Sequence, residues 1–496
     1  MTEEEGARQS PDASSDKKAF GKDVGKLVSG TVVAQVVGIL IYPILTRIFD
    51  PEIYGIASLF LSIVSVIVVI SCLRYEVAIL LPKDDKDASS LFFASFIILI
   101  AICVVCIPII LIFGKPIVDI LNAPELINYL WILPLFVFID GAYMILRYWN
   151  TRRIRFGMQA ISQASQSVTG SGLKVGLGLL GNISPAALIY GQLFGNITGI
   201  ALLLYQLIKK DVSTLYNGFS IKNIWGQISR YKKFPLIDTW ANLFNVISWQ
   251  VPIFMLSAFF SPVVSGLYAM GFAIIQMPMS LIGGSLGQVY YQRGSIAFKN
   301  NKLAPLLEDM VQLLLMLSII PIVLLLILGE GLFGFVFGNQ WAEAGVYCQI
   351  LAVWAFIWFL SSTTGSNTLN IIEKQEYLLK FSIFNLISRV LALSIGGYYQ
   401  NIYLALWLFT LFGIIAYGYV LYVIFVHTNA SYRKILIESK YQIIFAIVVA
   451  LVFIGLQSVF KVNIIILLIL AAIVVIGYYL HLYHHNPKIR AYLPFS

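Results

Sequence analysis

A chain of 496 residues that is 59% hydrophobic and 11% charged, with a mean hydropathy of +0.86, has too little polar side-chain surface to cover a soluble globular exterior. Its apolar runs each approach the ~20 residues that carry a helix across ~30 Å of hydrocarbon, and they do not alternate as barrel strands must. The formal net charge of +9 fits the basic loops of a multi-span membrane protein and calls for no nucleic-acid partner.

Taken in chain order, residues 1–23 are polar and lack a signal-peptide core, which predicts a disordered cytoplasmic tail. Fourteen helices are predicted near 24–46, 54–73, 89–113, 127–146, 157–180, 185–207, 235–257, 264–291, 310–329, 343–365, 377–396, 402–426, 441–459 and 463–481. The expected organisation is an N-lobe over 24–207, a cytoplasmic linker over 208–234 and a C-lobe over 235–426. Two further spans and a cytoplasmic C-terminus occupy 427–496. With the N-terminus inside, the cytoplasmic segments hold 28 Lys or Arg, whereas the outside loops hold three, Arg47, Lys115 and Lys461. Short loops that stay inside collect positive charge, so both termini are expected in the cytoplasm. That leaves Lys174 and Arg389 deep within helices, away from the cytoplasmic ends.

The stretch "FDPEIYG" (Phe49 to Gly55) recurs as "FSPVVSG" (Phe260 to Gly266), sharing F-x-P-x-x-x-G at an offset of 211 residues. Six predicted helices separate the copies, so both run the same way through the membrane. That predicts a parallel pseudo-repeat, two six-helix lobes around a central cavity.

Polar residues inside the spans are candidates for lining that cavity. Gln159, Gln163, Gln166 and Lys174 fall within about 80° on a helical wheel, with Gly170 between them. An unpaired charge facing lipid costs at least ~2.5 kcal/mol, so the stripe is expected to face a cavity or other helices; the alternative is a Lys174 that snorkels to the headgroups. Asp238, Asn242, Asn245 and Trp249 are spaced four, three and four apart on the seventh helix, and Thr31, Gln35, Gly38 and Tyr42 repeat that spacing on the first. For Asp238 the plain alternative is a pairing with Lys232 or Lys233, or support of its helix's first turn. Asp140 and Arg389 lie deeper. Arg47, Lys174 and Arg389 fall in the outer half, and Asp140 and Asp238 in the inner half. Arg74 and Glu76, at the inner end of the second helix, read either as a first contact for a headgroup or as a surface salt bridge. Gly191, Gly195 and Gly199 form a G-x-x-x-G-x-x-x-G series expected to serve close helix packing.

Catalytic signatures are weak. There is no phosphate-cradling G-x-x-x-x-G-K-[ST], so work has to come from gradients or from substrate and product concentrations. Asp85-Lys86-Asp87 satisfies D-x-D but lies in a charged loop expected to be a solvated cluster. Cys103-x-x-Cys106 and the four histidines lack further ligands at metal-site spacing. The chain is therefore read as a non-enzyme without metal or cofactor.

"PILTRIFDPEIYGIASLF", "RYEVAILLPKDD", "RYKKFPLIDTWANLFNVISWQVPIFMLSAFFSPVVSGLYAMGF" and "FGNQWAEAG" resemble, in order over residues 24–426, the bacterial polysaccharide biosynthesis family. Its members are oligosaccharidyl-lipid flippases for O-antigen and exopolysaccharide, in one superfamily with the lipid II flippase and the multidrug and toxin extrusion antiporters. The resemblance implies a V of two six-helix lobes in the inner membrane, which moves an undecaprenyl-diphosphate-linked oligosaccharide to the outer leaflet. It implies as partners that lipid-linked substrate, membrane lipids, a coupling Na+ or H+, and polymerase and chain-length regulator proteins. A diphosphate needs cations to replace its water, which makes Arg47, Arg74, Lys174 and Arg389 the candidate substrate contacts. Gln35, Tyr42, Gln159, Gln163, Gln166, Asn242 and Asn245 become candidate cavity lining, and Asp140 and Asp238 candidate coupling-ion sites. Two rival classes stand beside this one. A drug antiporter of the same superfamily would want acids for a cation, and a glycan polymerase or ligase would want an external loop longer than the roughly 15 residues found here.

Overall fold

A computed structural model describes residues 37, 38 and 40–485. The predicted tail, Gln35 and most of the first span lie outside the described residues. Within them the chain is helical and without strands, as an apolar environment requires, because helices satisfy their own backbone groups. Eleven described helices are long and apolar enough to cross a membrane, and the bent pair Pro124–Leu130 and Leu133–Arg152, at 58°, makes a possible twelfth. The expected count of fourteen is thus approximate. The fifth predicted span is a helix, Phe156–Leu179, but its amide and lysine stripe keeps it out of the apolar set. The first falls mostly outside the described residues.

Several helices outrun their predicted bounds. Asp85–Ile120 has 36 residues and Leu303–Phe337 has 35, each over ~50 Å long at 1.5 Å per residue. Hydropathy marks only their apolar middles. Two π turns follow the predicted order of elements, Phe234–Asp238 ahead of the Thr239–Phe259 helix and Met279–Gly283 after Pro262–Pro278.

The chain forms two compact units. Of the described residues, one holds those up to Leu45, Ile63–Gly114 and Ile127–Val246; the other holds Thr46–Ser62, Lys115–Leu126 and those from Ile247. In the first, Leu91, Leu99, Phe136, Ile145 and Trp149 are buried, and Phe92 meets Trp149 edge-on at 5.4 Å. In the second, the core runs along Leu307–Leu328 and takes in Phe359, Val420, Ile424, Phe453 and Leu467. Prolines shape that core. Pro321 has no N–H, which leaves the carbonyl four residues back, at Leu317, without its helical donor. Tyr479 donates to that carbonyl at 2.6 Å and Tyr478 to the carbonyl of Met316 at 2.8 Å. The last helix, Ile464–His485, is thereby fastened to the Leu303–Phe337 helix.

The repeated motif has a structural explanation. In each copy the second residue caps a helix: the Asp50 carboxylate accepts from the Ile53 N–H at 2.9 Å, and the Ser261 hydroxyl from the Val264 N–H at 3.4 Å. The proline follows as the first helical residue, where its fixed φ suits the turn and its missing N–H costs nothing. The glycine comes four residues later. Both copies belong to the second unit, where a Cβ on Gly55 would overlap the carbonyl of Pro262 and one on Gly266 that of Pro51. The two copies are seated on each other reciprocally.

Candidate functional site

In the first unit the glycine series of the Pro185–Lys210 helix lets the polar Phe156–Leu179 helix approach. A Cβ at Gly195 would sit 2.7 Å from the carbonyl of Gln166, and one at Gly191 would overlap the Lys174 side chain. The side chains beside those glycines then join a chain of hydrogen bonds. The Lys174 ammonium donates to Gln192 Oε1 at 2.7 Å, and the Gln192 amide donates to Asn196 Oδ1 at 2.9 Å. Gln166 donates to the same oxygen at 2.5 Å, while the Asn196 amide donates to Asp140 Oδ1 at 2.5 Å. Asn196 is 3% exposed. Two predicted residues of opposite charge are thus linked through two amides, and neither Gln192 nor Asn196 was among the predicted site residues. Their signal was present: they sit four apart, each directly after a glycine, on the face read as packing alone.

Gln159 is buried and donates to Thr151 Oγ1 at 2.9 Å and to the carbonyl of Arg147 at 3.2 Å. It fastens the start of its helix to the end of Leu133–Arg152. Gln163 and Tyr42 are half-buried. Asn245 is exposed, and Asn242 donates back to Asp238, to Oδ1 at 3.2 Å and to its carbonyl at 2.9 Å.

Asp238 takes neither Lys232 nor Lys233. Arg74 Nε donates to its carboxylate at 2.8 Å, with Arg74 also 3.6 Å from Glu76. Arg74 has φ of +64° and Leu73 of +49°, a left-handed pair that bulky residues adopt only when their surroundings hold them there. The Arg74–Glu76 pair is not a surface bridge, since Glu76 is 3% exposed and its Oε2 has no partner among the described residues. Burial outweighs the attraction of Arg74 and pushes the Glu76 carboxyl up to about 7, with Asp238 adding to the rise.

The D-x-D acids are also engaged. Asp85 takes Arg152 at 3.1 Å and Arg153 at 3.0 Å, and Asp87 accepts from Asn223 at 3.0 Å. They begin the Asp85–Ile120 helix, where the half-exposed Asp85 ties it to the end of Leu133–Arg152 and Asp87 ties it to the Ile221–Arg230 helix. Asp211, which sequence reasoning passed over, is buried beneath Trp149 and takes both guanidinium arms of Arg155.

In the second unit Arg389 is 3% exposed. Pro252 deprives the Ser248 carbonyl of its helical donor, and Arg389 Nη1 supplies one at 2.7 Å, with Ser248 Oγ at 3.2 Å. Its guanidinium lies 4.4 Å from the ring centre of Trp249 and 5.5 Å from that of Phe409, a cation–π setting that stabilises a buried cation without an acid. Nη2 has no partner among the described residues. Arg47 is exposed and donates to the Phe335 carbonyl at 3.1 Å, one of the last carbonyls of Leu303–Phe337.

Comparison with known proteins adds the following. A family model described as "Polysaccharide biosynthesis protein" matches residues 44–346. The fold is similar to that of the lipid II flippase MurJ in an inward closed conformation, at 16% identity over 92% of this chain and 98% of the other, with a TM-score of 0.71. It is also similar to an inward-facing multidrug resistance MATE family transporter of the MOP superfamily, at 16% identity over 82% and 96% of the two chains, with a TM-score of 0.61. At such identities the likeness is one of fold. No curated protein matches the chain.

Proposed function

The chain belongs to the polysaccharide biosynthesis protein family, and from that premise we propose that it moves an undecaprenyl-diphosphate-linked oligosaccharide across the cytoplasmic membrane without chemistry on the substrate. Lobes over 24–207 and 235–426 would alternate access, with both termini cytoplasmic as the 28 to three division of basic residues favours. The observation that carries the proposal is the state of the two deep cations. Among the described residues neither Lys174 nor Arg389 is salt-bridged to a carboxylate, and Arg389 keeps an unused N–H arm. Cations held by neutral groups keep their field for an incoming anion, and a guanidinium donates to phosphate in a planar fork.

The antiporter alternative would want free carboxylates for a cation. Asp238 is held by Arg74 and Asp140 by Asn196, which leaves them better suited to a relay for a coupling H+ or Na+ than to a drug. A polymerase and a chain-length regulator are the protein partners this role calls for. The test is to express variants in cells that depend on the protein for surface glycan. Lys174→Glu and Arg389→Glu should each block export, with lipid-linked oligosaccharide accumulating on the cytoplasmic leaflet. Normal export by both, at normal membrane abundance, would refute the cationic path.

A further inference from the structure

A groove of about 470 Å³ opens in the second unit between the Pro262–Pro278 helix with its Met279–Gly283 π turn, the start of Gly284–Lys299, and the Ala342–Ile371 helix. Its size is within the ~300–1,000 Å³ of small-molecule sites. Its described lining carries no charged side chain. Gln276 and Gln288 are exposed to it, and neither side chain is hydrogen-bonded to another described residue. Asn367 is fixed in place by donating to the carbonyls of Thr363 at 2.9 Å and Gly287 at 3.2 Å. Two rings border the amides. Trp358 is anchored by stacking on Trp354 at 5.1 Å and Phe272 at 5.9 Å, and Tyr291 is 45% exposed. The floor is backbone, with nothing within 4 Å of where a Cβ on Gly284 would stand.

Each property narrows the ligand. Amides with unused donors and acceptors are costly inside a membrane helix unless water or a ligand answers them. A phosphate would want arginine or lysine, a cationic drug an acid, and an acyl chain no amides at all. Neutral hydroxyl and acetamido groups both donate and accept, as the glutamines do, and an aromatic ring offers an apolar face to the C–H face of a sugar. A π turn at the groove widens the helix where a ligand would press against it, a place such turns often occupy.

We propose that this groove is a glycan subsite, taking uncharged sugar units of the transported lipid while the diphosphate is held elsewhere. It rests on the flippase assignment made above. The test titrates full-length protein in nanodiscs with two probes: the lipid-linked oligosaccharide purified from the cells that make the protein, and undecaprenyl diphosphate without sugar. The intact lipid should bind at least tenfold more tightly. Gln276→Leu with Gln288→Leu should erase that factor and leave binding of the bare lipid unchanged. Gly284→Leu, whose Cβ would stand in open space at the groove, should do the same. A tenfold preference that persists in both variants, or none in the unmodified protein when the bare lipid binds, would overturn the subsite and leave the flippase assignment standing. If neither lipid binds, the flippase assignment falls, and the subsite with it.

Discussion

Asn196 is the hub of the buried network, and replacing it with leucine keeps the branched shape of its side chain while removing every side-chain bond it makes. The substitution takes acceptors from Gln166 and Gln192 and a donor from Asp140. A hydrogen bond between membrane helices contributes about 0.6 kcal/mol on average and up to ~1.7. One to a carboxylate is worth about 1.5–3 kcal/mol, most of it the cost of leaving the charge unanswered. Asn196→Leu should therefore destabilise the protein by about 3 kcal/mol. Removing the acid as well, in Asp140→Leu with Asn196→Leu, leaves no orphaned charge, so the double variant should be about 1.5–3 kcal/mol better than the sum of the two single ones. The assay is thermal unfolding of detergent-solubilised protein, followed by loss of the monodisperse peak at fixed heating times because membrane proteins often unfold irreversibly. A melting temperature for Asn196→Leu within about 1 °C of the unmodified protein, or strict additivity in the double variant, would refute the network as an energetic unit.

Glu76 should make stability depend on pH. Its carboxyl titrates near 7 in the folded protein against an ordinary 4.5, so as pH rises from about 4.5 to 7 the unfolded chain releases the proton first and stability falls, by up to about 3 kcal/mol above pH 7. Glu76→Gln should flatten that fall between pH 5 and 8; an unchanged profile would show that another group titrates. Gly266→Val places side-chain atoms on the Pro51 carbonyl, and should lower the melting temperature more than Gly284→Val, whose Cβ meets open space. Equal effects would rule out the close contact. Tyr479→Phe leaves the Leu317 carbonyl unanswered and should cost about 1 kcal/mol, measurable in the same thermal assay.

Hydropathy sees composition over a window, so it found the apolar middles of the helices. It missed the ends of Asp85–Ile120 and Leu303–Phe337, where charged and polar turns extend the same helix. The members of the buried network were legible residue by residue and much less so pair by pair. Lys174, Gln166 and Asp140 were identified, but Asn196, which joins the last two, was hidden in a glycine pattern. One partner was readable in principle: Pro252 marks Ser248, four residues earlier, as a carbonyl awaiting a donor, although nothing local names Arg389. Arg74 and Asp238 are 164 residues apart, and no short-range spacing rule reaches that far.

The seating of the two F-x-P-x-x-x-G copies is self-complementary: each gives a proline carbonyl and receives the other's, the same patch on both sides. Between separate subunits this would be an isologous interface, the contact that builds a two-fold homodimer. Within a single chain it is the arrangement expected if a half-length ancestor first paired with itself and was later fused end to end. It also ties the fates of Gly55 and Gly266. A larger residue at either collides with a carbonyl supplied by the other copy, so any lineage that drifts at one glycine has to remodel the opposite turn as well.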